Sequence, residues 1–452
     1  AQKLKEHRHI EGVQLNVVEP GDLIQLGVFR IEFIKVNHSI AGACALAIHT
    51  PAGVIVQTGD FKVDFTPIEG GVIDLGRFGE LGSQGVLALL PDSTNIEMPG
   101  STPSERTVGE SFNKLFQMAG DRRIIIATFS SNIHRIQQII DYAAKYDKKV
   151  SVSGRSMVNV VATAIELGYL KVPNDILVDI DVANRLPFNQ VVLITTGSQG
   201  EPMSALSRMA MSEHRKVKVT PNDFIIISAR PIPGNEKSVQ GIINSLSKLG
   251  CDIYDKSQAL VHVSGHGSQE ELKLMLAMAK PSYFMPVHGE AVHLRAHANL
   301  ARQMGMRDDH IFVVDNGDTL EMRGGEVKIG PQVESGIVYV DGLRIGDTDP
   351  IVLRDRQKLA NDGMVTAVAI VSLKRKRIDA IEFSGRGVSF TIDDEFSADA
   401  SASIMKMIEK GKFNFTSSGT DALRKAVRDC ISNFIWNRTR TRPMIIPVVM
   451  EV

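Results

Sequence analysis

The sequence predicts an α/β protein of several domains, and three observations carry that expectation. Short runs rich in Val and Ile alternate with longer amphipathic stretches. Many of the short runs end directly in polar or glycine-rich residues, as strands do where an α/β sheet meets its ligands. The chain has 452 residues, more than one ordinary core covers, so roughly two to four domains are expected.

Taken in order, β-branched runs predict strands at Phe29–Val36, Gly53–Gln57, Val86–Leu90, Arg123–Thr128, Lys149–Val152 and Val191–Thr195. Further strands are expected at Asp223–Ser228, Ala259–Val263, Tyr283–Val287 and Ile311–Val314. Apolar residues at helical spacing predict helices at Thr107–Met118, Ile133–Tyr146, Met157–Leu167, Glu236–Lys248, Gln269–Ala279 and Ala291–Met304. Composition shifts at Pro331–Arg356, a Gly- and Asp-rich stretch that reads as a loop. Beyond it, strands at Val365–Leu373 and Met444–Met450 flank helices at Ser397–Lys410 and Thr420–Ile431, a separate small α/β domain.

Composition narrows the function classes. Apolar residues make up 43% and charged residues 23%, as in a soluble globular protein, and no apolar run is long enough to span a membrane. Three separated cysteines, Cys44, Cys251 and Cys430, argue against a disulfide framework and fit a reducing cytoplasm. None has CxxC spacing, so thiolate metal binding is not expected. The net charge of −1 announces no nucleic acid, although basic clusters occur at His214–Lys218, Lys374–Arg377 and Arg438–Arg442; each also reads as a solvated face. Neither a Walker A lysine nor GxGxxG is present, which disfavours a nucleotide cofactor.

Histidine is not a usual turn residue, yet His38, His266 and His288 each follow a predicted strand. With Asp60 in Thr58-Gly59-Asp60, His38 and His288 form an imidazole and carboxylate set suited to zinc. Gly59 would let the backbone approach a metal or ligand closely. The bland alternative is a capping histidine and a turn aspartate. The run His262-Val263-Ser264-Gly265-His266-Gly267-Ser268 lies before a predicted helix. Backbone N–H groups there would bind an anion, and a histidine could donate a proton. A plain N-cap at Ser268 is compatible with that reading. Three further loops, Ser130–Arg135, Gly154–Ser156 and Thr195–Gly200, are phosphate-friendly in composition, as are many Gly-Ser loops.

The combination NHSI, QTGDFK, LPDSTN, TFSSNIHR, TGSQGEP, SGHGSQEE, MPVHGE and RPMIIPVVMEV resembles bacterial ribonuclease J over essentially the whole chain and in the family's order. The resemblance implies a metallo-β-lactamase αββα sandwich interrupted by a β-CASP domain and followed by a C-terminal domain. Expected boundaries are 1–104 and 261–345 for the lactamase segments, 105–260 for β-CASP, 346–357 for a linker and 358–452 for the last domain. It implies zinc ligation by His38, Asp60 and His288, with Asp60 bridging, and catalytic roles for Asp92 and His266. His262, Val263, Ser264, Gly265 and His266 would contact substrate. Ser130, Ser131, Asn132, His134, Arg155, Ser156 and Ser198 would line the pocket for RNA and its 5′-phosphate. Asp341 resembles a calcium ligand.

The implied activity is metal-assisted RNA hydrolysis, 5′-to-3′ and internal, in RNA maturation and mRNA decay. Two zinc ions per complete subunit are implied, with Ca²⁺ at Asp341, and a homodimer or homotetramer that also takes a paralogous ribonuclease. The family's H-x-H-x-D-H motif is not in this sequence. It would lie before Ala1, whose surroundings read as an internal, helix-like stretch, so this chain alone is expected to hydrolyse RNA poorly. A hydrolase of small esters would share the zinc residues but would not need TGSQGEP and SGHGSQEE. A scaffold that binds RNA over a defunct site is the non-enzymatic alternative.

Overall fold

The structure is a computed structural model that describes residues 12–341, 344–346, 350–372, 374–375, 377–410 and 420–451. The helix-like reading at the start of the chain lies outside them, as do Leu373 and Lys376. The chain divides into two compact units, Ala1–Glu334 and Ser335–Val452. Among the described residues, no helix is long and apolar enough to cross a membrane.

Among the described residues the first unit holds two large sheets and a two-stranded one, β12 (Leu320–Arg323) with β13 (Glu326–Ile329). One has six strands, β1 (Leu23–Leu26), β2 (Phe29–Lys35), β3 (Cys44–Thr50), β4 (Gly53–Gln57), β5 (Val86–Leu90) and β11 (Pro281–Phe284), in the order β1-β2-β3-β4-β5-β11. β1 to β4 are antiparallel neighbours, whereas β4, β5 and β11 run parallel. Strand alternation turns Ile34, Ala45, Ala47 and Val56 to one face. There they meet Phe78 and Leu81 of α1 (Leu75–Gln84), and Leu272, Met275 and Leu276 of α8 (Gln269–Ala279).

The chain leaves this sheet through α2 (Arg106–Ala119) to build a parallel one. It comprises β6 (Arg123–Ala127), β7 (Lys149–Ser153), β8 (Val191–Thr195), β9 (Asp223–Ile227) and β10 (Asp252–Tyr254), in the order β10-β9-β6-β8-β7. β6, β8 and β9 are buried along their whole length, which is why they read as unbroken apolar runs. Ile124 and Ile126 pack with α2, α3 (Ile133–Lys145) and α4 (Arg155–Glu166). Ile125 and Ala127 pack on the other face, with α6 (Ala205–Ala210) and α7 (Glu236–Lys248). Strand order reverses at β6, so the loops beyond β6, β8 and β9 border the crevice where doubly wound sheets take ligands.

Two expected strands are absent. Val261 and Val263 are buried against the parallel sheet, but the segment Ala259–Val263 joins no ladder. The Val261 carbonyl accepts instead from the Ser228 hydroxyl (2.6 Å) and from Arg135 (3.2 Å). Ile311–Val314 makes only a single parallel bridge, Ile311 to Phe284. β1, β3 and α1 were not expected. α1 carries Gly76, Gly79 and Gly82, which lower helix propensity. At Gly82 a Cβ would lie 2.1 Å from the Met278 carbonyl, so glycine there lets α1 approach α8.

The second unit opens with a short pair, β14 (Val340–Asp341) and β15 (Arg344–Ile345), and its main sheet has three strands, β16 (Met364–Ser372) between β17 (Arg377–Arg386) and β18 (Met444–Glu451). α11 (Asp394–Lys410) and α12 (Thr420–Thr439) supply Ile404, Val427, Ile431 and Ile435 to its core. The expected loop and linker up to residue 357 instead include most of a helix, α10 (Pro350–Asp362). Proline at the first helical position forfeits no hydrogen bond and presets φ.

Candidate metal centre

Five chain segments deliver side chains to the carboxyl-terminal edge of the six-stranded sheet. After β2, Asn37 is buried and braces neighbouring loops: its amide donates to Gly71 O (2.9 Å) and its carbonyl accepts from Ile73 N (3.0 Å). That fixes His38. After β4, Gly59 adopts φ +58°, and a Cβ there would lie 2.8 Å from Cys44 O. The close approach foreseen at this glycine is therefore to a neighbouring strand. Thr58 Oγ1 accepts from Asp92 N at 3.0 Å, tying the turn that carries Asp60 to the end of β5. Val287 N donates to Pro91 O at 3.0 Å, which continues β11 past its ladder and places His288 beside Asp92. His266 arrives on the extended segment before α8, with its carbonyl held by Asn95 (3.0 Å) and Thr102 (2.8 Å).

Asp60, Asp92, His266 and His288 each offer a ligand atom within 4.8 Å of the others. His38 Nε2 lies 3.7 Å from Asp60 Oδ2, and His288 Nε2 lies 3.5 Å from Asp60 Oδ1. The three imidazoles are neighbours: His266 stands edge-on to His38 (centroids 5.0 Å) and stacks on His288 (5.5 Å). His266 Nδ1 is 2.6 Å from Asp92 Oδ2, while Asp92 Oδ1 takes hydrogen bonds from the Thr94 amide and hydroxyl. Burial pushes the Asp92 carboxyl up, but the hydrogen bonds from His266 and His288 outweigh it and hold the group well below the usual carboxylate range. The bond to Asp92 raises His288, against its partial burial. Burial lowers His38, offset in part by its bond to Gly265 O.

This donor set fits a divalent ion such as zinc. It is imidazole and carboxylate, and two imidazole nitrogens face the oxygens of Asp60 across gaps too wide for direct hydrogen bonds. Among the described residues the side chains grouped closely enough to hold it are Asp60, Asp92, His266 and His288; His38, expected as a ligand, borders that group with Nε2 3.7 Å from Asp60 Oδ2 and 3.3 Å from Ser39 Oγ. Asp92 and His266, expected only as catalytic groups, stand in the same cluster.

Of the residues expected to contact RNA, some are exposed and others are held inside the protein. Ser130, half-buried, and Ser131, exposed, follow β6; Asn132 is buried and caps α3 by accepting from Arg135 N (3.0 Å). Arg135, in the phosphate-friendly run, is fully buried. It pairs with Glu105 and donates to Ser228 O, so it is not offered to a phosphate. His134, half-buried beside it, is lowered by burial. Arg155 and Ser156 open α4 and are exposed, whereas Ser198 is buried. His262 is pushed down to about 3 by burial and then by Arg135, whose Nη1 lies 3.3 Å from its Nδ1. Of the substrate segment, Val263 is core, Gly265 O receives His38, and Ser264 Oγ accepts from His266 N at 3.1 Å. Asp341 belongs to the second unit, where it pairs with Arg356 at 2.7 Å.

Members of the basic clusters hold internal partners among the described residues. Lys216 pairs with Asp181, and Arg438 with Glu395 and Asp399. Arg440 and Arg442 lie over Trp436. Sequence reasoning gave no role to Thr94, Ser93, Asn37 or His297; the two hydroxyls beside Asp92 in LPDSTN were the one available signal.

Three family models match: the ribonuclease J β-CASP domain at residues 121–246, the Zn-dependent metallo-hydrolase RNA specificity domain at 253–314, and the ribonuclease J C-terminal domain at 351–452. The chain is 40% identical to Ribonuclease J of Synechocystis sp. over 98% of its own length and 70% of that protein's. It is 41% identical to Ribonuclease J of Mycolicibacterium smegmatis, over 100% of this chain and 80% of the relative. Against Ribonuclease J2 of Bacillus subtilis the figures are 37%, 100% and 81%.

Proposed function

Because the chain belongs to the ribonuclease J family, we propose that it serves a zinc-dependent ribonuclease that hydrolyses RNA phosphodiesters, from a 5′-monophosphate end and internally. The observation that carries this reading is the convergence of Asp60, Asp92, His266 and His288 within 4.8 Å at the edge of one sheet. The family-model match to a Zn-dependent metallo-hydrolase RNA specificity domain supports it.

His38, Asp60 and His288 hold the metal. When bound, zinc supplies Lewis-acid activation of water and neutralises charge on the phosphoryl oxygens. His266, braced by Asp92, presents its other nitrogen to the leaving oxygen and, when protonated, donates to it. His262, kept neutral by burial and Arg135, contributes hydrogen bonding without charge. Exposed Arg155 and Ser131, with Ser130, Ser156 and Ser198, border the crevice beyond β6, β7 and β8 and grip the 5′-phosphate.

The test, on a complete subunit that carries the H-x-H-x-D-H motif, compares 5′-monophosphate and 5′-hydroxyl RNAs before and after zinc chelation. Chelation is expected to stop cleavage of both, zinc to restore it, and Arg155→Ala to slow the monophosphate RNA more than the hydroxyl one. Cleavage that survives exhaustive chelation, and survives Asp60→Ala, rejects the reading.

A further inference from the structure

Thr94 follows the buried Asp92 and touches two members of the metal centre at once. Its Oγ1 lies 2.8 Å from Asp92 Oδ1, 2.7 Å from His288 Nδ1 and 3.1 Å from His288 O. A hydroxyl has one proton to give. The ionised Asp92 carboxylate and the His288 carbonyl are acceptors only, so the Thr94 proton is directed to them. The shortest contact, to Nδ1, is then made by a proton on the ring. Asp92 Oδ1, 3.3 Å from the same Nδ1, is a second acceptor facing it. The neutral His288 ring therefore carries its lone pair on Nε2, which faces Asp60 Oδ1 at 3.5 Å. Two acceptors meet there, an arrangement a cation completes. His288 also has left-handed backbone (φ +56°), unusual for a residue with a Cβ, and the Thr94 contact to its carbonyl holds that turn.

We propose that Thr94 is a positioning residue: its hydroxyl accepts the Nδ1 proton of His288 and relays the hydrogen bond to Asp92, holding Nε2 bare toward Asp60. Asp92 thereby braces two imidazoles, His266 directly and His288 through Thr94. The tautomer follows from these contacts alone; its consequence for metal binding rests on the zinc reading above.

The experiment is nitrogen NMR of histidine-labelled, zinc-free protein above the imidazole titration range, with His288 assigned by the loss of its signals in His288→Ala. Wild type and Thr94→Ser are expected to show a protonated Nδ1 and a bare Nε2 on His288. Thr94→Val, similar in shape but without the hydroxyl, loses that signature. Its zinc dissociation constant rises about 10- to 100-fold, the range for removing a ligand's outer hydrogen-bond partner, and Thr94→Ser restores tight binding. A wild-type His288 protonated on Nε2 overturns the proposal without any variant having to fold. So does a Thr94→Val protein that keeps the wild-type signature. If no form of the chain binds zinc, the metal reading fails while the ring signals still decide the tautomer.

Discussion

In a complete ribonuclease subunit that carries the H-x-H-x-D-H motif, His266→Ala should lower the rate of RNA cleavage about 10²–10³-fold while leaving RNA affinity nearly unchanged, because a proton donor to the leaving oxygen matters most in the transition state. Single-turnover rates and binding isotherms on one RNA check this, and a loss confined to affinity would remove His266 from the chemistry. His297 lends itself to a pH measurement. It is fully buried, bonded to Ser93 Oγ (3.0 Å) and packed edge-on against Phe284. Burial pushes it down to about 4 from its ordinary 6.5. The unfolded chain then binds a proton in that window that the folded one refuses, so stability is complete above 6.5 and falls as pH drops toward 4. His297→Leu should flatten the acid side of the stability curve by up to one proton of slope, and parallel curves for the two proteins would contradict this. At this scale His38, Asp60, His266 and His288 stood out as a group because histidine is an unusual turn residue, whereas Asp92 was marked only by the resemblance. Thr94 and His297 were not legible, since a hydroxyl or a helical histidine acquires meaning only from partners about 200 positions away.

Among the elements, the parallel sheet was the most legible part of the first unit, because β6, β8 and β9 are buried on both faces and leave an uninterrupted apolar signature. The antiparallel strands and α1 were harder to see. β3 is only half-buried at several positions, and α1 trades helix propensity for the approach that Gly82 permits. At Ser130–Arg135 composition pointed to an arginine open to a phosphate. Arg135 is instead a buried tie between α3, Glu105 at the start of α2, and the end of β9. Removing one partner of such a pair strands the other charge away from water. Arg135→Leu is therefore expected to cost about 3–5 kcal/mol in urea unfolding, and Arg135→Leu with Glu105→Leu to cost clearly less. Equal losses for the single and double variants would mean that the pair is not what holds these elements together.

For the molecule as a whole, the core residues of the C-terminal sheet all come from Val365 to Val449, and those of the first unit from Ile34 to Ala301. Among the described residues, each buried cluster is drawn from a single unit. The centre is drawn wholly from the first unit, from residues between His38 and His288. A protein ending at Glu334 thus loses no buried apolar residue that supports β2, β4, β5, β11 or α8, and its zinc content should match that of the intact protein. The second unit carries none of the clustered ligand residues, while Ile446, Val448 and Met450 of its outer strand β18 are exposed. An exposed edge strand with apolar side chains is a ready surface for association. Truncation at Glu334 should accordingly lower the mass seen in sedimentation while metal binding persists. A truncated protein that sediments as the same assembly would place self-association in the first unit. One that loses its zinc would mean that the second unit supports the centre, contrary to the separation of the cores.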